Sequence, residues 1–445
     1  MREDVIIKDS YILMYAVDGN KSYALYTGNR DERNNAVKSY TLTGGVSEPF
    51  EVLMMKIPRN KLVQAASPLT KPNAMIEGTN KITLSAMGKG EYVFQSASLS
   101  DDTYTIKAYC AAYKITKTNS TVDIAGYPLE IITGILNGAY GGEKYVTGKI
   151  RYFCQRFPLS HNDTSHARDT LSFKTGVNIW YIIQVCALYL GCRVFFTGTD
   201  AYIVDYRLPK EVFLTNGVAY TTEKDAEGNS IIDAVYDFPD IKLHTTDASR
   251  PEYSRITGNV SLGSEGFDTV TNNVVIKCTN SQTGASDQVV DISDPISIGY
   301  SFRTVKNSTY TISELRETSL NDESVTDGVY YRQGTVVASN ILDYRSEPQR
   351  SMRFKFKEYV NSNGQTHWLP YFPPSCRVSS IVDDIDSVTI DNKWWDTPAI
   401  KLQKLCLSSY TRNFPEGTST YEFGVIKNIS LPEKLSDMTT AQQHS

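Results

Sequence analysis

Two stretches of this chain place chemistry-bearing side chains near one another. His161-Asn-Asp-Thr-Ser-His166 sets two imidazoles five positions apart, with Cys154, Asp163 and Asp169 close by in sequence. Zinc takes such ligands, but this spacing does not put both rings on one helical face as His-Glu-x-x-His does. A solvated polar loop is the better reading, and no metal ligand is assigned. The second stretch, Asp383-Asp-Ile-Asp-Ser-Val-Thr-Ile-Asp391, lacks the ligand order and the distal glutamate of a calcium loop. With Asp396 and the Trp394-Trp395 pair it could in principle supply two carboxylates across a sugar platform. That chemistry needs the carboxyls roughly 5–9 Å apart across a cleft, which only a fold can bring about. An acidic hairpin facing solvent accounts for the same residues.

Nucleophiles and phosphate loops fare no better. The chain has no Gly-x-Ser-x-Gly elbow, and no cysteine has a histidine within a few residues. Gly148-Lys149 is followed by Ile150, and Glu143 stands where a phosphate loop needs its first glycine. No catalytic, cofactor-binding or metal-ligating residue is assigned, no cofactor is expected, and the sequence does not call for an enzyme.

Composition narrows the class. The 445 residues are 40% hydrophobic and 21% charged, the balance of a folded chain of more than one domain. The net charge of −5 comes with no long basic run, so recognition of nucleic acid is not expected. No apolar run approaches the ~18 residues of a membrane span, and residues 1–9 contain no apolar signal core. The seven cysteines are scattered without a CxxC pair and read as reduced, buried hydrophobes of a chain made in a cytosol. Tyrosine is abundant, 29 against 16 phenylalanines and 4 tryptophans, which suits strands and polar-tipped interfaces.

The elements that would position these residues centre on Gly176–Tyr206. Ile179, Ile182, Ile183, Cys186 and Leu190 recur at helical spacing, and Trp180, Ala187 and Leu188 widen the apolar face. A helix over 178–190 is expected, started by Asn178 and stopped by Gly191, with Trp180, Ile183, Ala187, Leu190 and Gly191 as its structural core. Two strands turning at Gly198-Thr-Asp200 follow it. Pro128–Asn137 and Thr335–Tyr344 read as further short helices. The rest alternates as short strands, including Ser10–Val17 and Ser22–Thr27 around an Asp-Gly-Asn turn, Pro49–Ile57, Asp101–Cys110, Thr269–Cys278, Gln288–Ile292, Ser351–Lys357 and Tyr421–Lys427. Residues 303–330 read as polar. The fold class is mainly β with an α+β insert. The expected organisation is a β-barrel-like domain at 1–118, an α+β domain at 119–212, a second barrel-like domain at 213–358 and a β-rich C-terminal segment at 359–445.

The order of these pieces resembles the baseplate hub proteins of bacteriophage tails. Asp102-Thr-Tyr-Thr-Ile-Lys-Ala-Tyr109 is similar to that family's strand ending in an aliphatic–Ala–aromatic/Asp step, although Cys110 stands where members often have Asp. Val177–Phe196 is similar to its W-x-x-aliphatic-x-x-x-A-x-x-x-G helix running into a hairpin. Asn340–Glu358, Pro373–Ile381 and Tyr410–Gly424 resemble later segments of the same proteins, so the likeness spans most of residues 90–425.

The resemblance implies a virion structural protein without catalytic residues in its hub domains. It implies a homotrimer with two similar barrel-like domains per chain, joining the hexameric tail tube to the central spike or fibre. Its partners would be its own copies, the tube protein, the spike or fibre protein and other baseplate proteins. Trp368, Trp394 and Trp395 are candidate interface aromatics. They are also what a rival reading, a receptor- or carbohydrate-binding tail-tip module, would use. A cell-wall hydrolase built on the Asp383–Asp396 carboxylates is the second rival.

Overall fold

The computed structural model describes residues 14–18, 21–26, 37–46, 48–59, 81–84, 90–148, 150–153, 169–198, 200–205, 270–318, 330–346 and 350–357, with short strands between 213 and 264 and between 359 and 423. Strand outweighs helix throughout these residues.

A 14-stranded sheet runs through both ends of the chain. Its first half is Lys21–Tyr26, Met14–Asp18, Lys81–Leu84, Gly90–Ser100, Thr103–Cys110, Val52–Pro58 and Ser39–Gly44, in that spatial order. The second half continues with Leu407–Phe414, Thr418–Phe423, Arg350–Lys357, Arg255–Ile256, Lys242–His244 and Ser380–Val382, and the fourteenth strand, Ser261–Ser264, pairs off this path with Arg350–Lys357. Ser39–Gly44 pairs antiparallel with Leu407–Phe414, so residues far apart in sequence form the centre of one sheet. Among the described strands this path is open, and its two end strands do not pair.

Alternation explains the inner face. Leu53, Met55 and Ile57 are buried while Met54 and Lys56 point out, and Ile106, Ala108 and Cys110 do the same on the neighbouring strand. Asp101 and Asp102, both at positive φ, make the tight turn between Gly90–Ser100 and Thr103–Cys110.

Among the described residues, two α-helices lie between the two halves in sequence. Helix α1, Pro128–Asn137, starts at a proline and stops at Gly138 in the left-handed region (φ 79°). Helix α2, Ile179–Leu190, is buried on most sides. Its hairpin, Cys192–Thr197 and Asp200–Asp205, carries Ile150–Phe153 in parallel as a third strand.

A second three-stranded sheet is made of Gln288–Ser293, Asn273–Asn280 and Asn307–Glu317. Six-residue helix α3, Pro295–Tyr300, precedes its last strand, and helix α4, Gln333–Arg345, packs on the sheet. Helices α2 and α4 also pack on each other, so residues 270–346 and 119–205 share one core. The strand at 307–317 and helix α3 fall where the sequence reads as polar or as plain β.

Candidate functional site, a junction at Glu51

Trp180, Ile183, Ala187 and Leu190 of helix α2 are buried, and Gly191 closes the helix at φ 71°. Asn178 fixes the other end. Its amide oxygen accepts from the Trp180 and Tyr181 backbone N–H groups at 3.0 and 3.2 Å. Its amide nitrogen donates to the carbonyls of Thr116 and Thr118, tying the helix to the turn of 3₁₀ helix at Ala111–Lys117.

The Trp180 ring meets Phe50, which lies just before strand Val52–Pro58, with centroids 4.8 Å apart and planes at 62°. Phe50 stacks on Phe196 of the hairpin at 5.1 Å and 10°, and meets Tyr113 edge-on at 5.5 Å. The backbone does the same work as the rings. Phe196 N–H donates to Pro49 carbonyl at 2.7 Å, and Glu51 N–H donates to Phe196 carbonyl at 3.1 Å.

Glu51 is the residue the sequence reading passed over. Its side chain is fully buried. The hydroxyls of Tyr92 and Tyr410 donate to its two carboxyl oxygens, one each. The backbone N–H of Gly198, in the turn of the hairpin, donates to Oε1 at 2.9 Å. Cys110 N–H donates to the Glu51 carbonyl at 2.9 Å.

One carboxyl group thus holds strand Gly90–Ser100, strand Leu407–Phe414 and the α2 hairpin together. Burying a carboxyl group is costly unless donors surround it, and here three donors do. The same alternation that buries Leu53, Met55 and Ile57 puts position 51 on the inner face, a signal present in the sequence.

Two glycines make room for the clamp. A Cβ at Gly44 would lie 2.5 Å from the Tyr410 hydroxyl oxygen and 2.8 Å from the ring carbon bearing it. Gly45 sits at φ 118°, where a Cβ would meet the Ser408 carbonyl oxygen at 2.7 Å.

A second set of hydrogen bonds joins residues 270–346 to helix α2. Asn340 of helix α4, 1% exposed, donates to the carbonyls of Leu188 and Tyr189 at 2.9 Å each, satisfying acceptors at the end of α2. Tyr181 donates its hydroxyl to Glu314 at 2.8 Å, and burial followed by the Glu314 carboxylate pushes that phenol far above its ordinary range. Gln333 donates to the Thr170 carbonyl at 2.9 Å. Buried Glu317 accepts from the Thr335 N–H and hydroxyl at 3.1 and 2.7 Å, placing a carboxyl group at the N-terminus of α4.

This geometry holds elements together and offers little reactivity. Cys110, Cys186 and Cys278 are buried free thiols. Burial, with Glu51 adding to it, pushes Cys110 far above the ordinary thiol range, and burial does the same to Cys186. Cys278 is pushed up to about 12 by burial and then by Glu317. None is a thiolate at neutral pH. Among the described residues no group of His, Cys, Asp and Glu is arranged to hold a metal ion, and no helix is long and apolar enough to cross a membrane. Trp368, Trp394, Trp395, the Asp383–Asp391 carboxylates and the His161–His166 stretch lie outside the described residues.

No protein-family model and no curated protein matches the chain. The solved structures that the chain matches include three tail proteins. A tail protein from Neisseria meningitidis is 11% identical, with a TM-score of 0.46 over 93% of this chain and 97% of its own. A prophage tail protein from Listeria monocytogenes is 9% identical, with a TM-score of 0.45 over 96% of this chain and 99% of its own. A tail protein of prophage MuSo2 from Shewanella oneidensis is 10% identical, with a TM-score of 0.44 over 93% of this chain and 98% of its own.

Proposed function

We propose that this chain is a structural protein of a bacteriophage tail, the trimeric baseplate hub that joins the hexameric tail tube to the central spike or fibre. The two halves of the large sheet are the two barrel-like units of each copy, so that three copies present six similar units to the tube. The α2 unit, within residues 119–212, forms the α+β insert that decorates the ring. Domain limits at 118, 212 and 358 mark these parts along the sequence. The partners are two further copies, the tube protein, the spike or fibre protein and other baseplate proteins, and the chain ends up in the virion.

The observation that carries this reading is the Glu51 junction. It locks the helix–hairpin unit, through which the sequence resembles hub proteins, onto a sheet built from both ends of the chain. A body braced in this way transmits load between two neighbours, and its buried groups have no access to a substrate. Sedimentation equilibrium of the purified chain tests the reading. A mass three times 49.8 kDa supports it, and a mass of 49.8 kDa at high micromolar concentration rejects it.

A further inference from the structure

Between strands Gln288–Ser293 and Asn307–Glu317 the chain carries apolar side chains that stand out from the described residues. Phe302 is 94% exposed, Ile296 69%, Tyr300 64% and Val305 53%. Ile296 and Tyr300 are one helical turn apart on α3 and share its outer face.

The segment is held in shape. The Asp294 side chain accepts from the N–H groups of Ile296 and Ser297. Arg303 N–H donates back to the Ile298 carbonyl at 2.8 Å. Fully buried Asn272 donates to Ser301 Oγ and to the Thr304 carbonyl, both at 3.0 Å, and accepts from Lys306 N–H at 2.7 Å.

Within this frame Phe302 and Arg303 adopt φ of 56° and 63°. The position just past a helix end in this conformation is one that glycine fills without strain and a bulky residue fills at a cost. Folding alone gives no reason for a phenylalanine here, pointing into solvent.

We infer that this knuckle, residues 295–306, is the anchor by which one copy of the chain grips the next in the ring. The inference rests on the trimer proposed above. Aromatic residues and arginine are enriched in interfaces and at their hot spots, and a rigid backbone lowers the entropy lost on docking. The charges in the segment are Arg303 and Lys306, with no acid between Pro295 and Lys306, whereas the whole chain carries 50 acidic against 45 basic residues. A basic, apolar knuckle therefore complements the surface of a second copy.

Side chains that stand out this far suit a contact in which each copy's knuckle enters a different surface of its neighbour, and such a head-to-tail contact gives a ring where its rotation closes. A stable interface buries ~800 Å² per partner, and a knuckle of a few side chains serves as the hot spot within such a contact.

Phe302→Gly separates binding from folding, because glycine relieves the left-handed strain while removing the side chain. Sedimentation of wild type and F302G, with thermal melts of both, is the test. The expected result is a wild-type trimer, an F302G chain that associates at least about tenfold more weakly, and an F302G melting temperature no lower than that of wild-type monomer. Tyr300→Ser, at a second exposed position, is expected to weaken association in the same direction. An F302G chain as trimeric as wild type overturns the knuckle and leaves the trimer standing. A wild-type chain that stays monomeric overturns both.

Discussion

The ring of Tyr410 lies so close over Gly44 that a Cβ built on the glycine would stand 2.5 Å from the tyrosine oxygen. The two residues are cross-strand partners in the pairing that joins the first and last parts of the chain. The missing side chain at 44 lets the Tyr410 hydroxyl reach Glu51 across the strand. Gly44→Ala is therefore expected to destabilise the protein by about 1–3 kcal/mol through overpacking. With Tyr410→Ala as partner, a double-mutant cycle by chemical denaturation should give a coupling on the order of 0.5–3 kcal/mol. Additive effects would mean that the ring does not lie there.

Removing a donor from Glu51 should cost more than removing an ordinary surface hydroxyl. Tyr92→Phe and Tyr410→Phe each keep the ring and take away one hydrogen bond to a buried carboxyl group, an effect of about 1–3 kcal/mol. The two losses should be non-additive, since both donors serve the same acceptor group. Denaturant midpoints unchanged from wild type in both variants would exclude the clamp.

Trp180 and Asn340 act at opposite ends of helix α2. Trp180→Ala empties a space against Phe50 and Phe196 and is expected to cost about 3–5 kcal/mol. Asn340→Ala leaves the Leu188 and Tyr189 carbonyls without these two bonds inside the protein, at about 1–3 kcal/mol. Amide hydrogen exchange should show the loss of protection in N340A centred on the last turn of α2. Exchange unaltered in that turn would remove Asn340 from its role.

Asp123 supplies a pH signature at the entry to the α+β unit. Its carboxylate accepts from Lys174 Nζ at 2.9 Å, from Thr175 N–H at 2.8 Å and from the Thr175 hydroxyl at 2.9 Å. These bonds, led by the one from Lys174, hold its pKa at about 2. Because the folded value lies below the unfolded one, the bonds stabilise the protein above the ordinary carboxylate range. Their contribution is lost as pH falls from that range through about 2. Carboxyl NMR should show the low midpoint, rising towards the ordinary value in Lys174→Ala. A wild-type midpoint near 4, the ordinary aspartate value, would contradict the bonding.

The sequence announced its local elements and hid its long-range ones. Helix α2 was legible because its apolar face, its Asn178 start and its Gly191 stop all point the same way. Helix α1 was legible from Pro128 and Gly138, and the Thr335–Tyr344 reading falls within α4 at 333–345. Strand Asn307–Glu317 was hidden because only Ile312, Leu315 and Glu317 of its residues are buried, so its pattern reads as polar.

Glu51 shows the other limit. Its parity with Leu53, Met55 and Ile57 marks it as inward, but its partners lie 41 and 359 positions away. No local pattern names Tyr92 or Tyr410. The same holds for Asn340, which caps a helix about 150 residues earlier in the chain, its two bonds spanning 152 and 151 positions. Candidate chemistry at His161–His166 and Asp383–Asp391 is read from local spacing, while the interactions that hold the described fold join residues far apart in the chain.

Electron cryomicroscopy of the tail, with this chain located in the map, tests the central claim most directly. The account predicts three copies in a ring between the last hexameric layer of the tube and the spike or fibre, with the Glu51 junction intact in each copy. Copies found six to a ring within the tube, or confined to side fibres away from the axis, would contradict it.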